Sequence, residues 1–213
     1  MLTWGVPSWS VVVPAKRLAV AKTRLRPLTA TLGQGHDELV LALLADTVGA
    51  ALGSDLVAEV VVVTDDPAAG ALVRGLGART VADEPDAGLN AALEHGASAA
   101  RQAAVAALSS DLPALRPEEL TAALAAAADV ARAFVADAQG TGTTLLTAVG
   151  VPLRPAFGPG SADAHRAGGA TPLDGSWPGL LRDVDTEADL RAALALGAGP
   201  RTTGFAESLR AAP

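Results

Sequence analysis

A short basic segment of the sequence holds the chain's two lysines, six residues apart. Lys16 and Lys22 share it with Arg17 and Arg24, directly after a run of apolar residues. An ammonium group is a compact charge with three donors and a guanidinium offers a planar fork, so both suit phosphate oxygens. The spacing predicts a phosphate-binding loop at the end of a strand, and the alternative is a solvated basic loop on an acidic protein.

Three aspartates fall where strands or strand-like segments are expected to end. Asp111 follows the apolar run 104–108, and Asp183 and Asp185 flank Val184. In an extended segment Asp183 and Asp185 project to the same side, where two carboxylates repel each other unless a cation lies between them. Carboxylates and substrate phosphates are ligands of Mg²⁺ in proteins, so the pattern favours a metal site. The alternative makes Asp111 a turn residue and Asp185 a surface acid at the start of the last helix.

Two glycine-containing loops could bind an anion through backbone amides and hydroxyl groups. The first is Gly140-Thr-Gly-Thr143, for which a hairpin turn is the alternative interpretation. The second runs from Phe157 to Ser161 and is followed by His165 and Arg166, which add an imidazole and a guanidinium. A single histidine is more often structural than catalytic, so the pattern assigns no role to His165.

Composition restricts the classes of protein to which the chain can belong. Its 213 residues carry a formal net charge of −7, which argues against a nucleic-acid or anionic-membrane partner. The absence of cysteine excludes disulfides and a cysteine nucleophile, and three scattered histidines argue against zinc. We find neither a signal-peptide pattern nor an apolar stretch long enough to span a bilayer. These features predict a soluble cytoplasmic protein.

Apolar periodicity predicts alternating strands and helices over the first part of the chain. Strands are expected at 9–13, 57–63 and, more weakly, 104–108. Helices are expected over 36–52, from Asp66-Pro67 to Gly75 or Gly77, over 89–101 and, opened by Arg116-Pro-Glu-Glu119, over 120–128. Such alternation implies a mainly parallel sheet with helices on both faces. Ligands gather beyond the carboxyl ends of parallel strands, which would bring Asp111 to the basic loop.

The pattern changes in the last third of the chain. Strands are expected at 132–136 and 144–149, joined by a turn over 137–143. The Gly/Pro-rich stretch 152–178 holds too many turn residues for regular structure and is too long for an idle connection, so we predict a functional loop. A last helix is expected over Glu187–Leu196 with Thr186 as its N-cap, and the tail after Gly197 is expected to be peripheral. Neither a repeat nor a linker divides the chain, which predicts one domain over residues 1–213.

The ordered set of short motifs resembles one family of enzymes, the 2-phospho-L-lactate guanylyltransferase family of coenzyme F-420 biosynthesis. The motifs are Val13-Pro-Ala-Lys16, Ala21-Lys-Thr-Arg-Leu25, Ser110-Asp-Leu-Pro113, Gly140-Thr-Gly-Thr143, Phe157-Gly-Pro-Gly-Ser161 with His165-Arg166, and Asp183-Val-Asp-Thr186. The resemblance is greatest to the actinobacterial branch, whose acceptor is phosphoenolpyruvate. One departure is Ser110, where relatives commonly carry glycine. Serine is tolerated there if the position is not at positive φ.

The resemblance implies a fold and a reaction. The fold is α/β, a single Rossmann-like nucleotidyltransferase domain with a mainly parallel central sheet and helices on both faces. The reaction joins GTP and phosphoenolpyruvate to give enolpyruvoyl-2-diphospho-5′-guanosine and pyrophosphate. The resemblance also implies Mg²⁺ as cofactor, with two ions expected, and a hand-off of the product to the next transferase of the pathway.

The resemblance further implies the site residues. Those that match the nucleotide-phosphate loop, and are the candidate catalytic residues, are Lys16, Lys22 and Arg24. Those that match the phosphoenolpyruvate contacts are Thr143, Gly158 and Ser161. Those that match the metal ligands are Asp111, Asp183 and Asp185. Outside the family motifs, Asn90 is predicted to contact guanine or ribose, because a carboxamide offers both donor and acceptor; a cap of the following helix is the alternative.

Elementary chemistry agrees with this reaction. An acceptor phosphate is already ionised near neutral pH, so its attack on the α-phosphorus of GTP needs no general base. The main obstacle is repulsion between two anions, which Mg²⁺ and the basic loop would neutralise. Rival acceptors are 2-phospho-L-lactate and 3-phosphoglycerate, and rival enzymes of the same fold are molybdopterin or sugar-phosphate nucleotidyltransferases. A catalytically silent nucleotide-binding regulator is a further rival, against which the three retained aspartates argue.

Overall fold

The computed structural model describes residues 7–15, 18, 21–30, 35–84 and 86–211. Lys16 and Arg17 lie outside the described residues. The strands are β1 (Trp9–Pro14), β2 (Val57–Val63), β3 (Arg79–Val81), β4 (Ala104–Leu108), β5 (Arg132–Ala136), β6 (Thr143–Val149) and β7 (Thr171–Pro172). The helices are α1 (Arg26–Thr29), α2 (Gly35–Leu52), α3 (Pro67–Leu76), α4 (Leu89–Ser98), α5 (Pro117–Ala127), α6 (Ser161–Ala167), α7 (Pro178–Leu181), α8 (Glu187–Leu196) and α9 (Pro200–Ala211).

The strands form one seven-stranded sheet in the order β3-β2-β1-β4-β6-β5-β7. Strand β6 runs antiparallel to its neighbours β4 and β5, whereas the other pairings are parallel. The prediction of a mainly parallel α/β sheet is therefore confirmed. Because β6 is reversed, its first residue, Thr143, lies at the same edge of the sheet as the carboxyl ends of β1, β4 and β5. In α/β proteins with helices on both faces of the sheet, ligands bind at this edge.

Buried β-branched residues explain why β1 forms a central strand. Val11 and Val13 pack into the core on the face covered by α2, α3 and α5, and Val12 packs into the core on the opposite face with α4 and α6. All three side chains are fully buried. A parallel strand covered on both faces is expected to be apolar throughout, as this one is.

Several predicted boundaries hold, and others do not. Asp66 caps α3, which ends at Gly77 in the left-handed conformation that glycine adopts readily. Thr186 caps α8 as predicted, accepting a hydrogen bond from the Asp189 amide. The helix expected over 89–101 ends at Ser98. The short strand β3 was not predicted.

The segment 152–178 has more regular structure than its composition suggests. It contains α6, the two-residue strand β7 and the first residue of α7. Pro and Gly residues are confined to the connections and to the ends of these short elements, where they fit the backbone. The prediction of a stretch without regular structure was wrong here.

The tail after Gly197 is an integral part of the fold. It forms α9, which packs against α2. The carboxylate of Asp46, on α2, accepts hydrogen bonds from the amides of Arg201 at 3.2 Å and Thr202 at 2.8 Å, so it satisfies donors at the start of α9. The prediction of a peripheral tail was therefore wrong. Among the described residues, no helix combines the length and apolar character needed to cross a membrane.

Candidate active site

The described residues of the basic loop after β1 are tied to the rest of the fold. The Leu18 amide donates to Asp66 Oδ2 at 3.0 Å, which ties the loop to the start of α3. Lys22 has a φ of +46°, a left-handed conformation that is uncommon for a residue other than glycine. It leads into the 3₁₀ turn Thr23–Leu25, in which Leu25 is fully buried. The buried leucine anchors the turn, so Lys22 is held at the edge of the sheet.

The Lys22 side chain bridges two of the three predicted aspartates. Its ammonium donates to Asp111 Oδ2 and to Asp185 Oδ1, the second contact at 2.7 Å. Burial alone would lower the pKa of Lys22, but the two carboxylates and their hydrogen bonds outweigh that effect and raise the pKa above its ordinary value. Lys22 therefore supplies a permanent positive charge between these aspartates.

The chain positions the three aspartates through one backbone contact. Asp111 follows β4 and is only 6% exposed, and its carbonyl accepts a hydrogen bond from the Val184 amide at 3.1 Å. Val184 is fully buried, whereas Asp183 and Asp185 on either side of it line the same cavity as Asp111. The three acids are thus brought together, as the sequence pattern predicted.

The pKa of the Asp183 carboxyl lies well above its ordinary value. Burial raises its pKa to about 7, and repulsion from Asp111 and Asp185 adds to the rise, which Lys22 only partly offsets. Its carboxylate makes no hydrogen bond within the described part of the chain. Carboxylates that face one cavity with too little positive charge provide a binding place for a further cation.

The residues that line the cavity are compatible with Mg²⁺. Within the described ranges, no group of three or more His, Asp and Glu side chains is already arranged to hold a metal ion. The Lys22 ammonium pairs with Asp111 and Asp185. The donor set is all carboxylate oxygen, which suits Mg²⁺, and the Asp183 carboxylate has no hydrogen-bond partner among the described residues.

Two backbone amides in the turn after β5 donate hydrogen bonds within the turn itself. The amides of Thr141 and Gly142 each donate to the Asp137 carboxylate at 2.9 Å. These two amides are therefore not available to an anion, and that part of the sequence interpretation was wrong. The Thr143 hydroxyl remains at the cavity wall, and Asp137 is a positioning residue that sequence reasoning missed. An aspartate before a Gly-rich turn is the signal that could have found it.

The loop before α6 has the backbone freedom that its glycines predict. Gly158 and Gly160 have φ values of +138° and +72°, conformations that side chains disfavour. The Ser161 amide donates to the Gly158 carbonyl at 3.1 Å. The Ser161 hydroxyl lines the cavity and makes no hydrogen bond within the described residues. The Arg166 guanidinium, which was considered as a possible anion ligand, forms an ion pair with the Asp163 carboxylate.

Asn90 has a different set of contacts from those predicted. Its side-chain nitrogen Nδ2 donates to the Phe157 carbonyl at 3.1 Å, and its side-chain oxygen Oδ1 accepts from the Phe157 backbone amide at 2.8 Å. The carboxamide thus holds the start of the loop before α6. Its neighbours Leu89 and Leu93 line the cavity, whereas Asn90 does not. A nucleotide contact by Asn90 stays a prediction, and its observed contacts are structural.

A single cavity of about 690 Å³ joins these parts at the sheet edge. Its lining includes the cations Lys22 and Arg24 and the three aspartates. Thr143, Gly158 and Ser161 line the same cavity. Arg24 is exposed and makes no ion pair with another described residue. Ser110 is not among the residues with positive φ, so serine is tolerated there.

The chain has a Rossmann-like α/β fold of the kind found in nucleotidyltransferases. A solved nucleotidyl transferase from Methanothermobacter thermautotroptrophicus superposes with a TM-score of 0.64 at 24% identity, covering 90% of this chain and 98% of that one. The family model described as "Guanylyl transferase CofC like" matches residues 9–166. The chain belongs to this CofC-like guanylyl transferase family.

Named relatives match almost the whole chain. A phosphoenolpyruvate guanylyltransferase of Geodermatophilus obscurus is 71% identical over 204 residues, which cover 94% of this chain and 95% of the relative. A second protein of that name, from Thermomonospora curvata, is 58% identical over 210 residues, which cover 96% and 91% of the two chains. The resemblance inferred from the short motifs is therefore confirmed at the level of the family.

Proposed function

We propose that the protein transfers GMP from GTP to phosphoenolpyruvate, giving enolpyruvoyl-2-diphospho-5′-guanosine and pyrophosphate. The observation that carries the proposal is one cavity that is lined both by Lys22, Arg24 and three carboxylates and by Thr143 and Ser161. The cations suit a triphosphate, and the hydroxyls suit a small anion rich in oxygen atoms. The names of the two relatives support the choice of both substrates.

The reaction is a displacement at the α-phosphorus of GTP. A phosphate oxygen of phosphoenolpyruvate forms the new bond to this phosphorus, and the bond to the bridging oxygen of the β-phosphate breaks as pyrophosphate leaves. The attacking phosphate is ionised near neutral pH, so no side chain needs to remove a proton. Lys22 and Arg24 neutralise the phosphate charge that would otherwise keep the two substrates apart.

Asp111, Asp183 and Asp185 are the residues that would hold Mg²⁺. A bound Mg²⁺ supplies charge neutralisation at the phosphate oxygens and helps to orient them. The Lys22 ammonium already pairs with two of these aspartates, so its position depends on how they are occupied. Lys22 thereby links the metal ligands to the phosphate-binding loop.

Phosphoenolpyruvate would be bound through hydrogen bonds to its phosphate and carboxylate. Thr143 and Ser161 contribute hydroxyl groups, and Gly158 allows the ligand to approach the main chain closely. A three-carbon acid has few apolar atoms, so its affinity must come mainly from such contacts. In the pathway implied by the resemblance, coenzyme F-420 biosynthesis, the activated product would pass to the next transferase.

Pyrophosphate release from GTP is the measurement that tests the proposal. The acceptor panel is phosphoenolpyruvate, 2-phospho-L-lactate, 3-phosphoglycerate and a sugar 1-phosphate, each with Mg²⁺ and with EDTA. ATP and CTP replace GTP as controls for the base. We expect release only with GTP and Mg²⁺, and the highest kcat/KM with phosphoenolpyruvate. A higher kcat/KM with another acceptor would overturn the substrate assignment, and no release with any acceptor would overturn the enzyme assignment.

A further inference from the structure

His165 connects the three segments that carry the proposed acceptor contacts. Its ring nitrogen Nδ1 lies 2.9 Å from the Thr143 hydroxyl, at the start of β6. Its other ring nitrogen, Nε2, accepts a hydrogen bond from the Ala156 amide at 2.9 Å, in the loop that leads to Gly158. The residue itself belongs to α6, the helix that begins at Ser161. One imidazole therefore spans all three segments.

The hydrogen bond from Ala156 fixes the tautomer of the ring. A backbone N–H can only donate, so Nε2 must carry a lone pair and no proton. A neutral imidazole then has its single proton on Nδ1. His165 is only 3% exposed, and burial lowers the pKa of its imidazole, which favours this neutral form. The ring therefore presents an acceptor to Ala156 and a donor to Thr143.

The tautomer in turn fixes the direction of the Thr143 hydroxyl. Because Nδ1–H donates, the Thr143 oxygen must accept, and its own proton is left for another partner. Thr143 makes no other side-chain hydrogen bond within the described residues and lines the cavity. A hydroxyl that receives one hydrogen bond becomes a better donor of the next. Its free proton is thus suited to an anionic oxygen of a ligand.

Packing holds the imidazole in this orientation. The Phe157 ring meets it edge-on with centroids 5.2 Å apart, and the Phe134 ring lies at 5.9 Å in a tilted arrangement. Phe157 is itself fixed through the two hydrogen bonds between its backbone and Asn90. The ring cannot turn over without losing the Ala156 and Thr143 contacts. Its hydrogen-bond polarity is therefore set by the fold.

We propose that His165 is a positioning residue of the acceptor subsite, whose Nδ1–H group makes the Thr143 hydroxyl an obligate donor to the anionic acceptor. This inference rests on the proposed function, because the acceptor is taken to be phosphoenolpyruvate. It assigns His165 no proton transfer and no contact with the reacting phosphorus. Its effect should reach the acceptor through Thr143 and leave GTP binding unchanged.

Two substitutions separate the hydrogen bonds of the ring. His165→Asn can keep a donor near the position of Nδ1, and His165→Gln can keep an acceptor near the position of Nε2. We expect the glutamine variant to raise the KM for phosphoenolpyruvate about tenfold, and the asparagine variant to raise it no more than about threefold. The KM for GTP should change less than about twofold in both. His95→Gln, on α4 and outside the cavity, is the matched control and should behave as wild type.

A double-mutant comparison tests whether His165 acts through Thr143. In a Thr143→Val background, His165→Gln should add less than about twofold to the KM for phosphoenolpyruvate, because the hydroxyl that it orients is absent. A full additional tenfold effect would overturn the inference. Equal changes in the KM values of both substrates would overturn it as well, since they would indicate a general structural role.

The tautomer can be measured without any substrate. ¹⁵N shifts of histidine-labelled wild-type protein identify the protonated ring nitrogen, and comparison with His165→Gln assigns the signals. A proton on Nδ1 supports the inference, and a proton on Nε2 or a doubly protonated ring at neutral pH overturns it. This result stands even if wild-type protein releases no pyrophosphate with phosphoenolpyruvate, an outcome that would overturn the proposed function instead.

Discussion

The Lys22 ammonium lies 2.7 Å from the Asp185 carboxylate, although 163 positions separate the two residues in the sequence. The same ammonium pairs with Asp111, so one lysine balances part of the charge of a three-aspartate cluster. Asp183, the third member, has no such partner among the described residues, and its pKa is raised to about 7 by burial and by the other two acids. The relationship couples the basic loop to the proposed metal ligands.

Replacement of Lys22 should affect the nucleotide more than the acceptor. We expect Lys22→Ala to lower kcat/KM for GTP about a hundredfold, because it removes the cation that the proposed function places at the developing phosphate charge. The KM for phosphoenolpyruvate should change less than about threefold. Lys22→Arg, which keeps the charge, is the matched control and should retain more activity. Normal GTP kinetics with a weakened acceptor would mean that the loop serves the other substrate.

Replacement of Asp183 should remove both turnover and the response to metal. We expect Asp183→Asn to lower kcat about a hundredfold or more, a loss of roughly 3 kcal/mol of transition-state stabilisation. Mg²⁺ should raise the Tm of the wild-type protein and leave that of the variant unchanged, because ligand binding stabilises the folded state. Asp111→Asn and Asp185→Asn should behave alike, with non-additive effects in combination.

Asp129→Asn is the control for this series, since Asp129 is exposed and lies outside the cavity. It should retain wild-type turnover and the Mg²⁺-induced rise in Tm. Full turnover by a correctly folded Asp183→Asn variant would exclude Asp183 as a metal ligand.

The pKa of His165 predicts how stability depends on pH. Burial lowers this pKa below its ordinary value of 6.5, so the native state favours the neutral ring. The resulting stabilisation is present above pH 6.5 and is lost as the pH falls from there toward the lower folded-state pKa. We therefore expect the stability advantage of wild type over His165→Gln, measured by urea unfolding, to shrink on acidification. A constant difference from pH 8 to about pH 5 would contradict the assignment of a buried neutral histidine.

Most of the framework was predictable because it depends on local sequence patterns. Strands β1, β2 and β4 are short apolar runs, and α3 and α8 carry recognisable caps at Asp66 and Thr186. Strand β3 was missed because it spans three residues, two of them polar. Helix α9 was missed because the backbone amides at its start donate hydrogen bonds to Asp46, which lies more than a hundred positions away in the sequence. Long-range contacts of this kind leave no periodic signal.

The candidate site was predictable to the extent that its residues are charged and lie at strand ends. The convergence of Asp111, Asp183 and Lys22 follows from the sheet topology. Sequence reasoning did not identify Lys22 as the partner of two aspartates. Which basic side chain reaches the aspartates depends on the folded positions of both, and the sequence does not give these. The roles of Asn90 and Asp137 were also hidden, since both bind backbone amides, which every residue except proline carries.

The hydroxyls of Thr143 and Ser161 should contribute mainly to acceptor affinity. Thr143 and Ser161 are 7% and 2% exposed and face one cavity from separate segments. A hydrogen bond to a charged group is worth about 1.5–3 kcal/mol, so Thr143→Val and Ser161→Ala should each raise the KM for phosphoenolpyruvate about tenfold or more. The affinity for GTP, measured by isothermal titration, should stay close to that of wild type. Thr203→Val, on α9 and outside the cavity, is the control. Unchanged phosphoenolpyruvate affinity in both variants would make these segments structural turns.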